Sequence, residues 1–589
     1  MDKQNLDNLR HSCAHLLAHA VKQLYPGALN AIGPAIENGF YQDFDMGKWN
    51  ISEENFPKIE AKMREILPSW QKFSFKEVTL SEAKKLFKAN KYKVEMATEF
   101  AKQGKKLQTN DPGDFLDLCK MGHVENPSKE LRHFKLFFVA GAYWRGSEKN
   151  KMLTRIYGTC FPTKEELDKY LWMREEAKKR DHRKLGKELD LFVISENIGK
   201  GLPLLTPKGT IIREEILKLE YELESKNGFQ HVVTPHIARS EMYKKTGHWQ
   251  HYREVMYAPF GIDGEEYVLK PMNCPHHYMI YTSRPRSYKD LPMRLSEPGT
   301  CYRFEKTGEL SGLLRVRALS IDDSHILMRE GQIEGEFKRC IEMVRKMFKA
   351  FQLKEYYVRL SLADPSDAVK YIADEKTWKK AGDKLQKIVK DNKLKYVIAK
   401  GEASFYGPKI DFMVKDSLGR EWQMSTLQLD LFMGKKLSLT YINEEGKEEH
   451  PVILHRGLTG SLERTLAILI EHFSGAFPLW LAPVQAVILP VSDKFIDYGR
   501  KIKEKLEKNM IRVELNADNK TLGGKIRQST LQKIPFMIII GEKESQSDVG
   551  AMRESPKIIS VRTRDGKDLG MLEINKFIDQ LKSQIENFS

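Results

Sequence analysis

Between Cys301 and His325 the chain reads CYRFEKTGELSGLLRVRALSIDDSH, which sets Arg303, Arg315 and Arg317 beside Glu305, Asp322, Asp323 and His325 within the span of one β-hairpin. Arginine forks bind phosphate bidentately, and paired acids beside a histidine can hold an amine or a metal. On spacing alone, a solvated surface hairpin and a phosphate-activating site are equally good readings. The stretch does not stand alone. Strand-like runs recur at Glu266 to Leu269, Met293 to Leu295, Arg315 to Ser320, Tyr356 to Leu362, Lys409 to Val414 and Ser438 to Tyr441. Several are joined by hairpin or loop segments in place of regular βα alternation, which predicts an antiparallel sheet flanked by helices.

Length divides the rest. At 589 residues the chain exceeds one core, and about 150 residues per domain predicts three or four domains. Lys and Arg number 97 against 81 Asp and Glu, a net charge of +16 spread along the sequence, which favours a polyanionic partner such as nucleic acid over a membrane surface. Six scattered cysteines do not make a disulfide framework and read as reduced thiols, some of them possible metal ligands. The N-terminus has no apolar leader and no run is apolar enough to span a bilayer, so a cytoplasmic protein with no membrane association is expected.

Near the N-terminus Leu6, Leu9, Cys13, Leu16, Ala20 and Leu24 form one apolar helix face, ended by Pro26 and Gly27. His11, His15 and His19 follow at i, i+4 and are expected to point away from that face. Cys119 and His123 repeat the spacing. Together they suit zinc binding or acid–base and nucleophilic work, or are two unrelated polar helix faces. Thr163 with Glu166 forms a capping box, and the helix it starts runs into the basic stretch 178–187, read as a linker. Ile212, Ile216, Leu219 and Leu223 mark a long helix stopped by Asn227 and Gly228. After Pro483, the apolar runs Val484 to Leu489, Ile511 to Leu515 and Phe536 to Gly541 predict a small α/β domain of parallel character. Its Lys525, Arg527, Lys533, Arg562 and Arg564 could face RNA or merely water.

Gly523-Gly524-Lys525 lacks the glycine spacing and the following Ser/Thr of a P-loop, so any nucleotide is held another way. Three separated segments, GFQHVVTP (228–235), YRFE (302–305) with Arg315, and GLTGSLER (457–464), resemble the three motifs of class II aminoacyl-tRNA synthetases. The segments KTGHW (245–249), KPMNCP (270–275), DDSH (322–325), FYGPKID (405–411) and LHRGLTGSLER (454–464) narrow the resemblance to the threonyl-tRNA synthetase family. It implies an α+β and α/β multidomain chain: an N-terminal α+β editing domain over 1–177, a linker over 178–190, a class II catalytic domain with an antiparallel sheet over 191–480, and an α/β anticodon-binding domain over 484–589. It also implies ATP-dependent ligation of L-threonine to tRNA(Thr) through a threonyl-adenylate, with hydrolysis of mischarged Ser-tRNA(Thr).

Residue roles follow from the same resemblance. Arg303 would clamp the ATP α-phosphate, Arg464 the γ end, Arg315 another phosphate oxygen, and Glu305 the adenine edge, with Mg2+ accompanying ATP. His248 and Gln423 would lie near transfer to the tRNA terminus, and Asp323, Tyr406, Gln428 and Ser461 would line the substrate site. Cys274, His325 and His455 match the family's ligands for one Zn2+ per subunit. Their separations of 51 and 130 residues make no local zinc signature. His11, His15, Lys93, Asp117, Cys119 and His123 match the editing residues, with a metal there left open. Asn519, Glu544 and Arg562 fall where the family reads anticodon bases. Since motif 1 lies at the family's dimer interface, a homodimer is expected.

Some positions depart from the family pattern. The chain begins at the editing domain, without a small preceding domain. Ile321 stands where a glutamine is frequent, Leu319 replaces an aromatic, and Met424 and Ser425 replace smaller residues. A non-catalytic RNA-binding relative would lack Arg303, Glu305 or Arg464, and all three are present. A prolyl or seryl type synthetase would lack the Cys274, His325, His455 set.

Overall fold

The computed structural model describes residues 3–119, 122–364, 366–367, 370–546 and 558–588. The chain divides into two compact units, Met1–Glu175 and Glu176–Ser589.

In the first unit the helix Lys3–Leu24 lays its apolar face on an antiparallel sheet. The sheet runs Leu29–Asn30, Gly39–Asp45, Met152–Phe161 and His133–Tyr143, with Ala35–Ile36 paired on Gly39–Asp45. Leu9, Cys13, Leu16 and Ala20 are fully buried. A second sheet, Ser74–Val78, Leu107–Asp111 and Asp117–Leu118, carries the helices Leu80–Leu86 and Lys91–Lys102 around its own apolar cluster. The first of these helices starts at Thr79, whose hydroxyl accepts from Glu82 N while the Glu82 carboxylate accepts from Thr79 N at 2.7 Å, a reciprocal cap.

The second unit is organised by an eight-stranded sheet. Its order is Gln230–His231, Met293–Tyr302, Ala318–Met328, Val452–Gly457, Glu421–Asp430, Lys409–Lys415, Tyr356–Leu362 and Tyr396–Lys400. All neighbours are antiparallel except the two outermost pairs. The helices Pro207–Lys226, Ile333–Ala350, Glu375–Asp391 and Leu462–Phe473 share one core with it. In Ile333–Ala350 alone, Phe337, Ile341, Val344, Met347 and Phe348 are almost wholly removed from water, each contributing about 1.5–3 kcal/mol of burial.

The strand expected at Arg315 to Ser320 begins only at Ala318, because Arg315 to Arg317 are drawn into a loop. Of the run Ser438 to Tyr441, only Tyr441 lies in a strand. The basic stretch 178–187 is mostly helical: Lys164–Arg180 passes into it, and Asp181 caps a second helix, His182–Glu188. The C-terminal sheet is mixed. Val513–Leu515, Ala486–Pro490 and Phe536–Ile540 run parallel, but Ile558–Thr563 and Asp568–Glu573 add as an antiparallel hairpin. The first hairpin strand buries Ile559 and Val561 against the C-terminal core. No helix among the described residues is long and apolar enough to cross a membrane.

Candidate functional site

Ten consecutive pairings join Met293–Tyr302 to Ala318–Met328 and leave residues 303–317 as a loop over one end of the sheet. Arg303 N donates to Arg317 O at 2.9 Å, and the Arg317 guanidinium donates to the Glu305 carbonyl at 2.9 Å, so Arg317 holds the loop's shape. Arg315 pairs with Glu305 at 2.7 Å and with Glu309 at 2.9 Å. The loop borders a cleft of about 690 Å³. Arg303, Glu305, Arg315, Asp323, Tyr406, Gln423, Gln428, Ser461 and Arg464 line it, together with Cys274 and His455. These residues come from seven strands, loops or helix ends, spread from Cys274 to Arg464.

The opposite wall is the start of the helix Leu462–Phe473, capped by Ser461, whose hydroxyl accepts from Arg464 N. The two walls are stitched by backbone. Ile321 forms a bridge with Ser461, Asp322 N donates to Gly460 O at 2.9 Å, and Glu463 accepts from Ser320 N at 3.0 Å. Arg464 is largely buried, its Nε has no partner, and burial lowers its pKa. The Arg303 guanidinium donates only a long 3.4 Å bond, to Pro271 O, among the described contacts. Two guanidinium groups with spare donors therefore border one cleft, as anion binding requires. Gln423 is held by Arg359 at 2.8 Å and by Asp411 at 2.8 Å, while Gln428 donates to Gly407 O at 3.2 Å.

Cys274, His325 and His455 each offer an atom within 4.8 Å of the others. Cys274 opens the helix Cys274–Thr282, and His325 and His455 are direct cross-strand partners with ring centres 4.6 Å apart. His325 Nε2 is buried without a partner. His455 Nε2 is 3.2 Å from Asp430 Oδ2, and His325 Nδ1 is 2.8 Å from His277 Nδ1, leaving one nitrogen of each ring for the cluster. Burial and the neighbouring Asp323 push the Cys274 thiol well up, a cost that a bound cation removes. Thiolate and imidazole donors with oriented outer partners suit zinc.

His248 lies behind this cluster, 2% exposed, with its ring centre 6.2 Å from Tyr406. Burial, then His455, lowers its pKa to about 3, so it is neutral near pH 7. Beneath the site Arg456 is fully buried. Its Nη2 donates to Glu224 and Ser324 and, at 2.8 Å, to Asp322. Asp322 also accepts from Leu458 N and, at 2.9 Å, from Thr459 N. Burial raises the Asp322 pKa to about 6 despite Arg456.

A separate constellation lies within the first unit. His11, His15, Cys119 and His123 bring ligand atoms within 4.8 Å of one another. His15 and His19 are 4% and 6% exposed, so the histidine face is not turned to solvent as expected. It is buried against charged and polar groups of neighbouring elements. His15 Nδ1 is 3.2 Å from Asp117, whose other oxygen takes Lys93 Nζ at 2.7 Å, and Ser12 meets His123 at 3.0 Å. Cys119 and His123 are not on a helix: Asp117–Leu118 is a strand, and both residues lie in the segment after it.

Burial opposes charge at Cys119, yet His15 together with hydrogen bonds from His11 and His123 brings the thiol down to about 3. His15 rises to about 9 against its burial because it faces Cys119 and Asp117. A thiolate–imidazolium pair thus persists from above pH 3 to below pH 9. Alkylation of Cys119 by iodoacetamide is expected to keep a rate constant within about twofold from about pH 5 to pH 8, where an ordinary thiol would speed up roughly tenfold per unit. Peptide mass spectrometry of timed samples measures this, and a tenfold rise per unit would refute the ion pair.

In the C-terminal sheet Asn519 is exposed in a turn, and Arg562 lies in Ile558–Thr563 with its Nε unpartnered. Glu544 is 6% exposed, one oxygen accepting from Gly541 N at 2.8 Å and the other from Ser560 Oγ at 2.6 Å. It clamps a short helix to a strand, so base reading would require breaking both bonds. Sequence reasoning missed His277, Asp430, Glu224 and Arg456. His277 stood three residues after Cys274 in CPHH, a usable signal; the others meet the site only through sheet and helix packing.

Known proteins agree with this geometry. The family described as "tRNA synthetase class II core domain (G, H, P, S and T)" matches residues 260–473, and "Anticodon binding domain" matches residues 485–584. A threonine–tRNA ligase of Geobacillus sp. (strain WCH70) is 44% identical over 583 residues, which is 98% of this chain and 89% of the relative. The crystal structure of the RNA binding domain of threonyl-tRNA synthetase from Cryptosporidium parvum Iowa II superposes with TM-score 0.64 at 32% identity, covering 69% of this chain and 98% of that one. Giardia lamblia prolyl-tRNA synthetase shares the fold at TM-score 0.54 with 18% identity, covering 70% of this chain and 80% of its own. The chain belongs to the threonine–tRNA ligase family of class II aminoacyl-tRNA synthetases.

Proposed function

We propose that the chain activates L-threonine with ATP as threonyl-adenylate, transfers it to tRNA(Thr), and hydrolyses Ser-tRNA(Thr) in its N-terminal unit. The observation that carries this reading is the buried trio Cys274, His325 and His455 beside the arginine-lined cleft, since Cys274 and His455 border the same space as Arg303 and Arg464. Arg303 holds the α-phosphate as the threonine carboxylate attacks it, stabilising charge that grows in the transition state. Arg464 anchors the γ end, Arg315 reaches a phosphate oxygen once it leaves Glu305, and Glu305 accepts from the adenine edge. Mg2+ accompanies the triphosphate.

Cys274, His325 and His455 would hold zinc, which when bound would supply Lewis-acid recognition of an amine and its neighbouring hydroxyl. Asp323 pairs with the amine, and Tyr406 and Gln428 close the substrate's other sides. An apolar pocket separates valine from threonine by only about 100-fold, so recognition of the hydroxyl carries the discrimination. Neutral His248 is proposed to orient the attacking hydroxyl by hydrogen bonding near the site of transfer, and Gln423 is fixed by Asp411.

Serine keeps the hydroxyl, so a second site is required. The His15–Cys119 pair, braced by Asp117 and Lys93 and joined by His11 and His123, orients water toward the seryl ester. Replacing His15 by alanine is expected to leave threonylation unchanged and slow Ser-tRNA(Thr) deacylation by about 10²–10⁴-fold. Deacylation of preformed Ser-tRNA(Thr) measures it; an unchanged rate removes the assignment. Asn519 and Arg562 are proposed to face the anticodon, while Glu544 holds the short helix beside them to its strand. Two copies are proposed to pair through the GFQHVVTP segment, where Val233 is 96% exposed. ATP–pyrophosphate exchange across all amino acids, with zinc measured on the same sample, tests the whole reading. Exchange with threonine and stoichiometric zinc is expected, and exchange driven by another amino acid without zinc would sink it.

A further inference from the structure

Behind His325 lies a buried chain of polar groups that no step above uses. His277, fully buried, places Nδ1 2.8 Å from His325 Nδ1 and turns Nε2 toward Glu297 Oε1 at 3.5 Å. Glu297 is 4% exposed. Its oxygens accept from Thr234 Oγ1 at 2.6 Å and Thr234 N at 3.0 Å, and Lys270 Nζ lies 3.3 Å away. Lys270, 1% exposed, also donates to Thr234 Oγ1 at 2.8 Å. Against its burial, these neighbours bring the Glu297 pKa down to about 2.

Proton placement then follows from one end. Lys270 and the Thr234 N–H and O–H hold Glu297 as a carboxylate, which has acceptors only, so His277 Nε2, 3.5 Å away and outside hydrogen-bond geometry, faces it best with its proton. With that one proton on the ring, His277 Nδ1 is the acceptor and His325 Nδ1 the donor. That leaves the lone pair of His325 on Nε2, the atom that is buried, unpartnered and 3.8 Å from Asp323. The opposite tautomer of His325 would set two lone pairs against each other at 2.8 Å and turn an N–H into the cluster.

We propose that His277, oriented by Glu297, Lys270 and Thr234, is a positioning residue that fixes the tautomer and ring direction of His325 for metal binding. The relay joins the GFQHVVTP and KPMNCP segments, through Thr234 and Lys270, to a residue of the DDSH segment. It accounts for a buried lysine and glutamate that neither touch the cleft nor contribute to apolar packing.

The inference rests on the zinc reading, and the test separates the two. Zn2+ affinity is measured on the full-length protein by competition with a chromophoric chelator, and the Co2+-substituted protein gives the ligand-field spectrum. Wild type is expected to bind tightly with a tetrahedral spectrum; failure there removes the zinc reading itself. His277→Gln keeps a donor toward Glu297 but loses the acceptor facing His325, and is expected to weaken Zn2+ binding by about 10–100-fold with altered Co2+ bands. His277→Asn retains that acceptor and is expected to stay within about threefold of wild type. Equal affinities for wild type and His277→Gln, or equal losses in both variants, overturn the proposal. Circular dichroism and thermal melting accompany both, and a glutamine variant that melts like wild type yet binds Zn2+ weakly excludes a purely structural effect.

Discussion

Replacing Cys274 by alanine is expected to abolish bound zinc and threonine-dependent ATP–pyrophosphate exchange together, while ATP still binds. The three donors sit within 4.8 Å of one another and are buried, and Cys274 supplies the trio's one thiolate. Changes one shell further out already cost about 10–100-fold in metal affinity, and loss of a direct ligand is expected to exceed that. Arg303 and Arg464 stay in place because Cys274 opens its own helix and holds neither. ATP binding by itself is therefore expected to change by less than about threefold. Metal analysis by mass spectrometry and equilibrium ATP binding are the measurements. Full adenylation by a metal-free variant would falsify the zinc assignment without touching the ATP site.

The second large effect concerns stability. Arg456→Met leaves Glu224 and Asp322 buried without their cation, and truncating one side of a buried ion pair costs about 3–5 kcal/mol. Asp322 already sits near pH 6 with Arg456 present, so removing the arginine pushes it further toward the neutral acid. The protonated form accepts the Leu458 and Thr459 amides less well, which loosens the turn ahead of Ser461 and Arg464. The variant is expected to melt earlier and to lose threonine activation. Adding Glu224→Met is expected to recover part of the melting temperature, because one uncompensated charge is then gone. Thermal melts of the single and double variants decide it; an additive loss would show that the network holds no coupled charge.

Arg456 also marks where sequence reading stopped. It sits one residue from His455, yet nothing about its neighbours in the chain indicates that it meets Glu224 on a helix more than two hundred residues earlier. The predicted hairpin from Cys301 to His325 is present, but its second strand starts late because Arg317 is spent on the Glu305 carbonyl. The histidines at 11, 15 and 19 show the opposite error. Helical spacing places them on one face, but polarity does not imply exposure, and a set of carboxylate, thiol and lysine carries the face into the interior. Glu544 shows a third kind of limit, since a charged residue beside a loop is indistinguishable in sequence from one that clamps a helix.

What the sequence by itself determined is the inventory and its order: the arginines of the cleft, the Cys274, His325 and His455 donors, the histidines of the N-terminal unit, and strand patterns of antiparallel type. Local periodicity and residue chemistry carry that information. Tertiary structure alone decided the rest. Ile321, unexplained as a side chain, matters through its backbone, which bridges Ser461 and so closes the hairpin wall onto the helix wall. In the proposed relay the tautomer of His325 is set by Glu297 on the neighbouring strand, through His277 on a helix. Hydrogen-bond direction and burial depend on which groups meet across the sheet, and distance in sequence contains no record of that meeting.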